Sequence, residues 1–148
     1  SCNSIRGLTL LHSGISPKTP PKDEKKPSEQ TLWNRILYHF NGNAEGSTLR
    51  LTLGILLAKT LGIELRRVGS GKRMTFADGE ETISRWMGDN AFVIWVVHPR
   101  PWKLESDVIR NLSLSLNLDQ NKSHAFHPVL SQARQQAKQH AREKVVVN

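Results

Sequence analysis

The stretch Pro101-Trp102-Lys103-Leu104-Glu105-Ser106-Asp107-Val108-Ile109-Arg110-Asn111-Leu112 reads as one amphipathic helix with a carboxylate on its apolar side. Proline suits the first helical turn, where the N–H has no intrahelical partner, and Leu104, Val108 and Leu112 then recur at helical spacing. At about 100° per residue Glu105 falls between Ile109 and Leu112, while Lys103, Ser106, Asp107 and Arg110 face the other way. Burying a lone carboxylate costs several kcal/mol or drives it neutral, so Glu105 must meet a cation, either an arginine or a metal ion.

Upstream of this helix, Phe92-Val93-Ile94-Trp95-Val96-Val97 is continuous, β-branched and aromatic, and predicts a strand covered on both faces. Residues 7–13 predict one short strand that closes at Gly14, with no turn pair to fold it into a hairpin. Residues 16–30 hold four of the seven prolines among lysines and acids, and predict an exposed loop inserted before the first helix. Ser28 is its expected N-cap, and Leu32, Ile36 and Phe40, flanked by Trp33 and Leu37, give a helix running to about Phe40. Ser47 and Gly62 bracket a second helix that is apolar on most sides. Residues 63–68 alternate, Gly69-Ser70-Gly71 turns them back into 73–76 as a hairpin, and Asp78 is the expected cap of a short helix through Met87. From about Pro128 a last helix sets Leu130, Ala133, Ala137 and Ala141 on one face and Arg134, Lys138 and Arg142 on another.

With 148 residues the chain predicts a single domain spanning 1–148. Twenty-one Lys plus Arg against 13 Asp plus Glu, a formal +8, favour a polyanionic partner. One cysteine, Cys2, excludes an internal disulfide and a thiolate zinc site, which predicts a reducing, cytoplasmic setting. The longest apolar run, 49–61, carries Arg50, Thr52, Gly54 and Lys59 and falls short of the ~20 residues a bilayer span needs, so no membrane association is expected. The first dozen residues lack an initiating Met and a secretory layout, which predicts a start partway into a longer reading frame.

Arg35 and His39, four apart on the first helix, stack on a face that borders its apolar stripe. Arginine grips a phosphate through two parallel hydrogen bonds, and histidine moves protons near neutral pH. These residues resemble a known family. Leu32-Trp-Asn-Arg35-Ile-Leu-Tyr-His39-Phe is similar to the arginine-bearing helix of the GIY-YIG nucleases, with His39 where restriction-type members carry histidine. Glu105-Ser-Asp-Val-Ile-Arg, followed by Asn117 twelve residues later, resembles the family's Glu-x-x-Leu-Ile motif and its downstream Asn, and Gly14 resembles the glycine that closes the YIG strand. His12 stands where that strand would bring a tyrosine, and no tyrosine-bearing first strand precedes it.

The resemblance implies a small GIY-YIG-like α/β domain: a central few-stranded sheet flanked by helices, an added β-hairpin, a C-terminal helix and a truncated N-terminal strand. It implies a metal-dependent endonuclease acting on nucleic acid, with DNA the expected substrate. Glu105 would be the ligand of Mg2+ (or Mn2+), Arg35 the clamp on the phosphate, His39 a catalytic partner, His12 a substitute base and Asn117 a residue orienting the metal shell or the loop. Arg50, Arg66, Arg67, Lys72 and Arg73 are the candidates for tracking the nucleic-acid backbone, with Arg134, Lys138 and Arg142 as a second stripe. The missing tyrosines leave a second reading, a nucleic-acid-binding remnant in which Arg35 and Glu105 form a structural ion pair. A third is an interaction module whose basic last helix docks an acidic protein. His124 and His127 are assigned no metal.

Overall fold

Thr31 starts the first helix: its hydroxyl accepts the Asn34 N–H at 3.1 Å, satisfying one orphan donor of the helix start, and its carbonyl accepts the Arg35 N–H at 3.1 Å as the first helical bond. The computed structural model describes residues 4–5, 7–16, 29–117 and 120–148. The expected Ser28 cap, nearly all of the 16–30 loop and Cys2 therefore lie outside the described residues. In chain order the elements are β1 (Ser4–Ile5), β2 (Leu8–Thr9), α1 (Leu32–Asn41), α2 (Thr48–Leu61), β3 (Arg66–Val68), β4 (Arg73–Thr75), α3 (Gly79–Asn90), α4 (Pro101–Asn111) and α5 (His127–Glu143). This is a small α/β architecture. Its described strands form two separate antiparallel pairs, β1 with β2 and β3 with β4.

The chain divides into two compact units, Ser1–Arg35 with Ile94–His127, and Ile36–Val93 with Pro128–Asn148. In the first, β1 meets β2 with Ser4 opposite Thr9 and Ile5 opposite Leu8. Residues 7–13 supply only one strand of this pair, and Gly7, just before β2, takes the left-handed φ of +78° that a glycine adopts without strain. Ile109 of α4 and the following Leu114 and Leu116 are buried and supply this unit's core.

The second unit is larger. Ser47 caps α2 by accepting the Arg50 N–H at 3.1 Å, and Gly62 closes it at φ 64°, with its N–H donated to Ala58. The hairpin forms in the register Arg66–Thr75, Arg67–Met74 and Val68–Arg73. Leu51, Leu53, Leu65, Phe76, Ile83, Met87, Leu130 and Ala141 bury against one another as its core.

Three expectations are corrected. Phe92–Val97 joins no strand among the described residues, and Val97 is 90% and Ile94 75% exposed. β-branched and aromatic residues favour a pleated surface only when a neighbouring strand offers one, and neither hairpin extends to them. Asp78 occupies the N-cap position of α3 in helical conformation and makes no side-chain cap bond. The first N–H groups of α3 are met by backbone carbonyls instead, Gly79 by Phe76 at 2.9 Å and Glu80 by Ala77 at 3.0 Å.

Arg50, expected on a nucleic-acid surface, is instead wholly buried. Its guanidinium meets Glu80 Oε2 at 2.8 and 3.1 Å, the Glu80 carbonyl at 2.7 Å, the His39 and Phe40 carbonyls at 3.1 and 2.8 Å, and Ser84 Oγ at 3.1 Å. Glu80 Oε1 in turn accepts Ala44 N–H at 2.8 Å and Phe76 N–H at 3.0 Å. One ion pair thus gathers the end of α1, the loop before α2, the end of β4 and the start of α3. Breaking such a pair from one side strands the other charge, so Glu80→Gln and Arg50→Met should each destabilise this unit by about 3–5 kcal/mol in denaturant titration. A loss within ~0.5 kcal/mol, the range of an ordinary surface change, would contradict the role assigned to the pair.

Candidate active site

Four of the expected site residues, His12, Arg35, Glu105 and Asn117, belong to the first unit. Asn117 holds the stretch around His12 in place. Its Oδ1 accepts the Ser13 N–H and its Nδ2 donates to the Ser13 carbonyl, both at 2.8 Å, so the side-chain amide imitates a strand partner. The Leu116 N–H donates to Leu11 at 2.9 Å on the other side of His12. Buried Leu114 and Leu116 anchor that second strand-like segment. His12 is therefore fixed by backbone bonds at both flanks. Gly14 completes the setting: a Cβ there would lie 3.3 Å from His12 Cε1, so a side chain would crowd the imidazole.

The electrostatics of the three charged positions are linked. Burial, followed by the positive charge of Arg35, lowers the His12 pKa from 6.5 to about 4, so the imidazole is neutral at physiological pH. Glu105 is half-buried on α4, as its helical position predicts. Burial raises its pKa, opposed by a hydrogen bond from Gln120 Nε2 at 3.4 Å and by the charge of Arg35. Arg35 thus acts on both neighbours through space, and among the described residues it closes no ion pair with Glu105. Gln120 carried no recognisable motif; only the structure brings it to the carboxylate.

His39 lies in the second unit, where its Nδ1 is 2.7 Å from Ser47 Oγ at the start of α2. Of the basic candidates, all in that unit, Lys72 and Arg73 are exposed beside the β3–β4 turn. Arg66 and Arg67 are partly covered and donate to backbone carbonyls of the C-terminal segment. His124 commits both ring nitrogens, to Ser113 Oγ at 3.0 Å and to the Phe126 N–H at 3.0 Å. No group of three or more His, Cys, Asp or Glu side chains suited to a metal ion occurs among the described residues. A single carboxylate drawn partly out of water still fits a hard divalent ion that keeps most of its hydration shell.

A family model for the GIY-YIG catalytic domain matches residues 1–136. The chain belongs to the GIY-YIG family. Membership places this domain among nucleases, gives it nucleic acid as its substrate class, and brings a family that generally uses divalent metal ions. Comparison with curated proteins and with solved structures returned no match. No helix among the described residues is long and apolar enough to cross a membrane.

The two pKa shifts have opposite consequences for stability. A carboxylate with a raised folded pKa leaves the fold unburdened below its ordinary value of 4.5 and opposes folding once ionised at higher pH. A histidine with a lowered pKa supports the fold fully above 6.5 and loses that contribution as pH falls toward 4. Glu105→Gln should therefore raise the thermal midpoint by a few degrees at pH 7.5. That gain should fade as pH is lowered through the carboxylate range; a midpoint lowered at pH 7.5 would show that Glu105 is instead a stabilising partner.

Proposed function

We propose that this GIY-YIG domain is a metal-dependent endonuclease acting on DNA, with Glu105, Arg35 and His12 as its catalytic side chains and Mg2+ or Mn2+ as its ion. The observation that carries the reading is the shared field of the site: one guanidinium acts on a pinned neutral imidazole and on a carboxylate held against desolvation. Glu105 would hold the ion through one carboxylate. When bound, the ion supplies positive charge to the scissile phosphate and to the departing 3′ oxygen.

The remaining chemistry belongs to the chain's own groups. Arg35 grips the phosphate through its fork of N–H donors and strengthens that grip as negative charge grows on the oxygens. His12 accepts a proton as water attacks phosphorus; the new P–O bond forms, the bond to the 3′ oxygen breaks, and that oxygen takes a proton from solvent water, leaving a 3′ hydroxyl and a 5′ phosphate. With a pKa near 4 the imidazole of the free protein is a weak base. A phosphate bound to Arg35 cancels part of the charge that depresses it, so substrate itself strengthens the base. Asn117 keeps His12 in register by holding Ser13. Lys72 and Arg73, exposed in the second unit, are the first candidates for contacts with the backbone. The Arg35–His39 spacing of restriction-type members favours DNA, and an RNA substrate of the same sequence is the control.

The test is Mg2+-dependent nicking of supercoiled plasmid. Glu105→Ala should abolish it, and Arg35→Ala should slow it about 10²–10³-fold, as expected for loss of one charge-stabilising group. Asn117→Ala should lower the rate by releasing His12 without removing any charge. DNA binding with no nicking in the unaltered protein would favour the remnant reading, which His12 at a motif tyrosine's position motivates.

A further inference from the structure

Past α5 the chain turns back along the β3 edge of the second unit. Val147 bridges Val68 in parallel: its N–H donates to the Arg67 carbonyl at 2.9 Å, and its carbonyl accepts the Gly69 N–H at 3.0 Å. Residues 144–147 therefore lie along the β3 edge of the hairpin, joined to it by a single parallel bridge. Arg66 donates to the Val145 carbonyl at 3.0 Å, and Arg67 donates to the Lys144 carbonyl at 2.9 Å and the Ala141 carbonyl at 3.3 Å.

Three features of this contact stand out. Its apolar anchoring is slight: Val145 is 82% exposed, and Val146 and Val147 are only partly covered. The charge is also unbalanced, because Arg66 and Lys144 share the single carboxylate of Glu64 while Arg67 meets only neutral carbonyls among the described residues. Arg66 is incompletely satisfied as well, since its buried Nε has no acceptor among the described residues. Carbonyls are poorer partners for guanidinium groups than phosphate oxygens, which accept two parallel charge-assisted bonds. Lys72 and Arg73 lie exposed on the same hairpin.

We propose that the β3–β4 hairpin is a phosphate-backbone docking surface whose two inner arginines are held by the chain's own residues 144–147 until a nucleic acid displaces that segment. The inference rests on the nucleic-acid reading above and deepens it. The resting protein presents Lys72 and Arg73, and displacement of the terminal segment adds Arg66 and Arg67 to the same surface.

The strap can be loosened without truncation. Val147→Pro removes the N–H that donates to Arg67 and leaves every basic side chain in place. Binding of a short duplex of arbitrary sequence would be followed against salt for the unaltered protein, for Val147→Pro, and for Val147→Pro combined with Arg66→Gln and Arg67→Gln. Val147→Pro should bind several-fold more tightly, with a log–log salt slope steeper by roughly 2, as two further phosphate contacts require. The combined variant should lose that gain. Amide exchange at Gly69 and Val147 in the unaltered protein should accelerate when duplex is added. Equal slopes for the unaltered protein and Val147→Pro, or amides that stay protected in the complex, would overturn the strap while leaving nucleic-acid binding intact. Absence of binding by every variant would overturn both.

Discussion

The second unit depends on one buried arginine. Arg50 enters the interior from the first turn of α2 and survives there because every direction in which its guanidinium points ends on an oxygen. Such a group organises what surrounds it, since each partner must arrive with the right geometry or leave a charge desolvated. Two of those partners are the carbonyls of His39 and Phe40 at the end of α1, the helix that carries Arg35 near its beginning.

In the first unit the governing constraint is electrostatic. Desolvation raises the pKa of Glu105 and lowers that of His12, and the positive charge of Arg35 acts on both. The bonds that Asn117 makes to the Ser13 backbone fix the chain immediately after His12.

Much of this was legible in the sequence. Periodicity, caps and glycines locate α2, the β3–β4 hairpin, α4 and α5 closely, and helical spacing puts Glu105 on the partly covered side of α4. The same reasoning applied to Arg50, a lone charge in an apolar helix, predicts its burial against a carboxylate, whereas a charge total alone places it on the surface. Phe92–Val97 failed for a different reason, because composition specifies a preference for a strand while pairing requires a neighbour that only the tertiary structure supplies. Gln120 and the Asn117–Ser13 bonds join residues 15 and 104 positions apart, and no local pattern encodes them.

The most direct test of the convergence of Arg35 on the catalytic candidates is an NMR titration of the His12 imidazole. The account predicts protonation near pH 4 in the unaltered protein, moving upward in Arg35→Met as the neighbouring positive charge is lost. A His12 that titrates at its ordinary 6.5, indifferent to the charge at position 35, would contradict it.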